Sequence, residues 1–275
     1  MNQPGEINFA SKLRSGQHYG VFIDDTGSPG LDRPGLSADR KSWVAVIVPP
    51  HQIAEVMEEL PNALSYLGTL GLSNPEFHFA EIWNGTGEYS KLNLSQRLGI
   101  FGFMADIFGQ YRFPVLVQTF DPRNAATVLG GATWPDALGP LKFSDHEDLA
   151  LIFALLRTRI YLKTQCGPHA SACVIVDEGR IRSGTSFSVS GWAPTFVAGS
   201  VLYANSRVVH PIQLADFAAF VMNRWQLLRV KERLTDVDKS LLEIISPIAE
   251  NFLNLESGRV RDWPQISSLS ECMNR

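Results

Sequence analysis

The sequence predicts one mixed α/β domain. Strand-like apolar runs come first, helices and strands then alternate, and the chain closes on helices. With 275 residues, 45% of them hydrophobic and 19% charged, the chain is long enough to bury a sizeable core. Residues 1–17 are expected as an N-terminal tail, 18–253 as the domain, and 254–275 as a C-terminal extension packed on it.

The elements follow in order. Residues 18–24 (HYGVFID) make a short buried strand ending in carboxylates, and 42–48 (SWVAVIV) a second. The Gly-, Pro- and Asp-rich stretch between them suggests a hairpin with a long connection. Ile53, Val56, Met57, Leu60, Leu64 and Leu67 recur at helical spacing, with Pro61 expected to kink or divide that helix. The segment 77–81 (FHFAE) is expected as a short strand or an irregular stretch. Asn93 and Gln96 form a capping pair for a helix to about Phe108, and 112–120 (RFPVLVQTF) reads as a strand. Ser144 and Glu147 have capping-box spacing ahead of a helix reaching about Lys163. Residues 171–176 (SACVIV) are a buried strand ending in Asp177 and Glu178. A further strand falls within 196–203, Pro211 opens a helix to about Leu228, and a last helix runs from Asp238 to about Phe252.

Composition removes several classes of function. Lys and Arg number 24 against 28 Asp and Glu, a net charge of −4 that argues against coating nucleic acid by bulk charge but leaves room for a local basic surface. Cys166, Cys173 and Cys272 form no C-x-x-C pair, so neither a disulfide framework nor a structural zinc site is expected. Cys173 sits in an apolar run and is expected in the core. The first 17 residues contain no apolar stretch like that of a secretory signal. About half of the longest charge-free stretch, 183–206, is Ser, Thr, Gly, Pro or Asn, which does not suit a membrane span. A cytoplasmic protein is the expectation. P-loop, dinucleotide, nucleophile-elbow and H-E-x-x-H motifs are missing from the sequence.

The carboxylates carry the chemistry. From Ile212 to Met222 the chain is apolar on every side except at Gln213 and Asp216, the pattern of a buried helix. A carboxylate there needs a partner. Gln213, three residues earlier, shares its face. A salt bridge to a distant arginine and a metal or catalytic role stand as even alternatives. Asp24 and Asp177 each end an apolar strand, where open α/β sheets build sites, although Asp is also common at strand-to-turn junctions. Converging carboxylates repel unless a cation intervenes, and hard oxygen ligands select Mg²⁺ or Mn²⁺. Such a set suits metal-assisted phosphodiester hydrolysis.

His78 and Glu81 form an H-x-x-E pair that would share one face of a helix but not of a strand. Glu81 is a candidate fourth carboxylate and His78 a candidate acid/base or substrate contact; the plainer alternative is a surface Glu and a packed His. Arg180, close to Asp177, is the candidate phosphate contact. Asp145, His146 and Asp148 fit structural roles at a helix start.

Four of these segments, taken together, resemble a large bacterial and phage domain-of-unknown-function family. Ile23-Asp-Asp-Thr-Gly27 resembles its Asp-Glu-Ser-Gly start, and Phe77-His-Phe-Ala-Glu81 its central H-x-x-acid segment. Val174-Ile-Val-Asp-Glu178 resembles its strand ending in Asp, and Ile212-Gln-Leu-Ala-Asp216 its closing Gln-Leu-Ala-Asp helix. The matches keep the family's order and span about residues 19–224. Asp25 and Thr26 depart from the pattern by replacing Glu and Ser. The resemblance implies a ribonuclease H-like mixed sheet flanked by helices and a metal-dependent nuclease or related phosphotransfer activity. It further implies Asp24, Glu81, Asp177 and Asp216 as ligands of Mg²⁺ or Mn²⁺, with Asp25 and His78 in support.

The leading expectation is therefore a metal-dependent hydrolase cleaving phosphodiester bonds, with Arg180 and Gln213 at the substrate. One competing expectation is a non-catalytic module binding nucleic acid or a protein partner, its carboxylates paired with arginines such as Arg180 or Arg207. Another is a small-molecule phosphohydrolase using the same site.

Overall fold

A computed structural model describes residues 4–26, 39–124, 135–229 and 231–253. The expected extension at 254–275, with Cys272, and most of the long first connection lie outside the described residues. Strands β1 (Tyr19–Asp25), β2 (Lys41–Val48) and β3 (Val115–Phe120) pair antiparallel in sequence, so the predicted first hairpin is present. A two-residue pair, β4 (Ala137–Leu138) and β5 (Leu141–Lys142), forms its own small ribbon. Then come β6 (Ala172–Asp177), β7 (Ser186–Ser188) and β8 (Phe196–Ala204). The six-stranded sheet runs β3-β2-β1-β6-β8-β7, with β6 parallel to β1, β8 parallel to β6 and β7 antiparallel to β8.

Helices cover both faces. They are α1 (Pro4–Arg14), α2 (Ile53–Thr69), α3 (Phe79–Asn84), α4 (Leu94–Tyr111), α5 (His146–Gln165), α6 (Ile212–Arg229) and α7 (Asp236–Ile245). Strand side chains alternate faces, and the core divides accordingly. Val21, Ile23, Ala45, Ile47, Val174 and Val176 pack under α5. Phe22, Val44, Val46, Cys173 and Ile175 pack against α2, α4, α6 and α7. Because both faces are covered, the central strands read as unbroken apolar runs instead of alternating ones. The predicted mixed α/β domain is thus what the chain forms. Among the described residues, no helix is long and apolar enough to cross a membrane.

Several local expectations change. The stretch expected as a tail contains α1, whose Phe9 and Leu13 enter the core. Helix α2 runs through Pro61 undivided, since Leu60 and Leu64 on either side of it are buried and hold the two halves in line. The 77–81 segment is neither strand nor wholly irregular: His78 is the extended cap of α3. Asp145, not Ser144, caps α5, accepting from the backbone N–H groups of Glu147 and Asp148. The last helix stops at Ile245 and continues as a 3₁₀ turn, Ser246–Asn251. Just beyond it Phe252 bridges β3 at Val115, and the Leu253 N–H donates to the Val115 carbonyl.

An aromatic cluster fixes α6 against α3 and α4. Phe217 has no exposed surface and its ring lies 4.8 Å from Phe79 and 5.4 Å from Phe108. Phe217→Ala is expected to lower the unfolding free energy by about 3–5 kcal/mol, read from urea unfolding followed by circular dichroism.

Candidate functional site

Parallel pairing of β1 with β6 sets Phe22 against Ile175 and Ile23 against Val176. One step further, Asp24 and Asp177 leave the sheet side by side on strands about 4.8 Å apart. Both share the parity of Phe22 and Ile175, so both face the layer that contains α6. Asp216 lies in the second turn of α6 and meets them there; α6 itself packs on β1 and β2. Three elements distant in sequence thereby converge.

Electrostatics make the convergence explicit. Burial pushes Asp24 well above the ordinary carboxylate range, and the charges of Asp216, Asp177 and Asp25 push it further. A hydrogen bond from the Asp25 N–H to its Oδ1, 2.7 Å, works the other way. For Asp216 burial again dominates; the Phe79 N–H opposes it, and Asp177, Glu76 and Asp25 add repulsion. Burial raises Asp177 to about 7, with contributions from Glu76, Glu178 and Asp25. Depth and access differ here: protein surrounds these groups on nearly all sides, yet 24% of the Asp216 side chain stays open to solvent. A site needs both.

The donor set consists of hard oxygens, and the buried Asp177 Oδ1 has no hydrogen-bond partner. Both features fit Mg²⁺ or Mn²⁺. Among the described residues, no three His, Cys, Asp or Glu side chains are placed together so that they could hold a metal ion. Charge acts beyond ligation distance, so the acids interact as repelling neighbours.

Each expected residue can now be located. His78, half exposed, has its Nδ1 3.5 Å from Asp216 Oδ2. Asp25 points to the other face and pairs with Lys41. Glu81 is exposed on α3, beside Gly87, and its charge acts on Tyr89 and Arg207. From this segment it is Glu76 whose charge reaches Asp177 and Asp216. Arg207 donates to Glu76 Oε2 at 2.6 Å, and Ser206 donates to Oε1.

Arg180 and Gln213 do other work than expected. The Arg180 guanidinium is shared among Asp145, Glu147 and Asp148, at 2.7, 3.1 and 3.5 Å. It therefore arrives at the site with its charge compensated. Gln213 is 1% exposed, accepting from the Phe77 N–H and donating to the Ser206 carbonyl, both at 2.9 Å. It sits behind the carboxylates and clamps the two segments that hold Glu76. A pocket of about 170 Å³ opens beside Asp24 and Asp177 on the α5 side of the sheet. Asp216, Glu76 and His78 do not line it.

No protein-family model, curated protein or solved structure matches this chain.

Two outcomes follow from these contacts. Asp177 has a folded pKa of about 7 against an ordinary 3.8, so the folded state holds the extra proton between those values. Stability relative to a neutral residue is then full below pH 4 and lost as pH rises through 7. Asp177→Asn in EDTA should melt above wild type at pH 8, with the gap closing by pH 4, in paired thermal scans. Gln213→Leu leaves the Phe77 N–H and the Ser206 carbonyl unpaired and should cost about 1–3 kcal/mol, measured by urea unfolding.

Proposed function

We propose that the protein is a metal-dependent hydrolase of phosphodiester bonds, a nuclease with a ribonuclease H-like fold. The observation that carries this is the meeting of Asp24, Asp177 and Asp216, from β1, β6 and α6, at a deep but accessible point. Metal-free, that meeting costs stability, and a chain has little reason to keep three repelling acids where packing alone is needed. The sheet order, three antiparallel strands followed by two parallel to the first, supports the fold reading.

Asp24, Asp177 and Asp216 would hold Mg²⁺ or Mn²⁺, with Glu76 taking the fourth position in place of Glu81. The chemistry that such an ion supplies when bound is polarisation of the phosphate and a lowered pKa of water. The remaining roles belong to the chain. His78 stands beside Asp216 on a half-exposed ring, within reach of a leaving oxygen as a proton-transfer group. Arg207 is 68% exposed and anchored through Nε to Glu76, which leaves its other guanidinium nitrogens for phosphate oxygens. It takes the role that compensation removes from Arg180.

The test is cleavage of single- and double-stranded DNA and RNA with Mn²⁺, Mg²⁺ or EDTA, next to an Asp216→Asn variant of equal circular dichroism. Cleavage that needs the ion and is lost in the variant is expected. Arg207→Ala should raise KM more than it lowers kcat. A folded wild type silent on all four polymers, with no rise in melting midpoint in several millimolar Mn²⁺, would overturn the proposal.

A further inference from the structure

The pocket beside Asp24 and Asp177 is built differently from a phosphate site. Its lining carries six carboxylates, Asp24, Asp25, Glu147, Asp148, Asp177 and Glu178, against the two cations Lys41 and Arg180. An anion would be repelled there. Four of these acids are also not free to close around a cation. Lys41 pairs with Asp25, Arg180 holds Glu147 and Asp148, and Asn205 and the Ser183 N–H hold Glu178. What is left is a set of carboxylate lone pairs facing a cavity, suited to neutral N–H donors.

The walls add two requirements. Tyr203 is one of the lining residues, 2% exposed, and its hydroxyl has no hydrogen-bond partner. Burial raises its pKa, so it stays a protonated donor and calls for an acceptor on the occupant. Trp43 is held by a bond from its Nε1 to the Glu147 carbonyl, 3.1 Å, and with Leu141, Leu151 and Ile181 it supplies flat and apolar wall. The volume, about 170 Å³, is well under the roughly 300–1,000 Å³ of pockets for drug-sized molecules. It suits a single flat ring system.

We infer that this pocket receives one unpaired nucleobase carrying an exocyclic amine, next to the phosphate that the ion proposed at Asp24, Asp177 and Asp216 would hold. The amine donates to the carboxylate wall, a ring nitrogen or carbonyl accepts from Tyr203, and the ring lies against Trp43. The choice of a nucleobase over another planar amine rests on the nuclease reading. It makes single-stranded or locally opened nucleic acid the substrate, since a paired base has its amine already engaged.

Calorimetric titration of the full-length protein in EDTA with adenosine, cytidine, uridine and inorganic phosphate tests this without metal or cleavage. Adenosine and cytidine should bind, uridine less tightly, and phosphate not at all. Tyr203→Phe should weaken nucleoside binding about 3- to 10-fold, the worth of one hydrogen bond. Ile181→Trp, which puts a larger side chain into the pocket wall, should abolish it with the fold intact by circular dichroism. No nucleoside heat at millimolar concentration, phosphate binding in its place, or binding indifferent to both substitutions would overturn the inference. Cleavage without nucleoside binding would remove the pocket and keep the nuclease; nucleoside binding without cleavage of any polymer would do the reverse.

Discussion

Parallel pairing between β1 and β6 is the constraint on which the site depends. Its register sets Asp24 and Asp177 level with each other, and the period of two along each strand turns both toward the layer that contains α6. A slip of one residue in either strand would send its carboxylate to the α5 side and invert every core contact of that strand. The apolar runs before the two acids therefore do two things at once. They bury the centre of the sheet, and they fix where the charge emerges.

Behind the acids lies a small polar framework that positions them. Gln213 ties the Phe77 backbone to the Ser206 carbonyl, while Ser206 and Arg207 hold the carboxylate of Glu76. The Phe79 N–H reaches Asp216 from the same segment. A short stretch before α3 is thus pinned to α6 and to the turn after β8. The same economy operates on the other face, where Arg180 joins the loop after β6 to the start of α5.

Much of this was legible in the chain. Asp24, Asp177 and Asp216 stood out because each ends or interrupts an apolar run, and burial of those runs is what brings them together. Cys173 lies in the core as its neighbours required. Other features were not legible, for physical reasons. Helix α1 lacks a strong apolar stripe, and β7, with Ser at both ends, is held by β8 instead of by its own pattern. Glu76 was hidden because its role comes from a turn some 130 residues later that supplies Ser206 and Arg207. Arg180 misled for the converse reason: closeness in sequence to Asp177 gave no sign that the start of α5 would absorb its charge.

Both borders of the sheet are guarded. On one side β3 is met by Phe252 and Leu253, whose backbone occupies Val115, and on the other β7 is only three residues long. A row of open N–H and C=O groups invites a foreign strand to add itself; β7 is too short to offer a long one, and the row along β3 is interrupted at Val115. The residues just past the last helix therefore act as a lid on a sticky seam. A chain cut before Phe252 would keep its three clustered acids and lose part of its protection against self-association into fibrils.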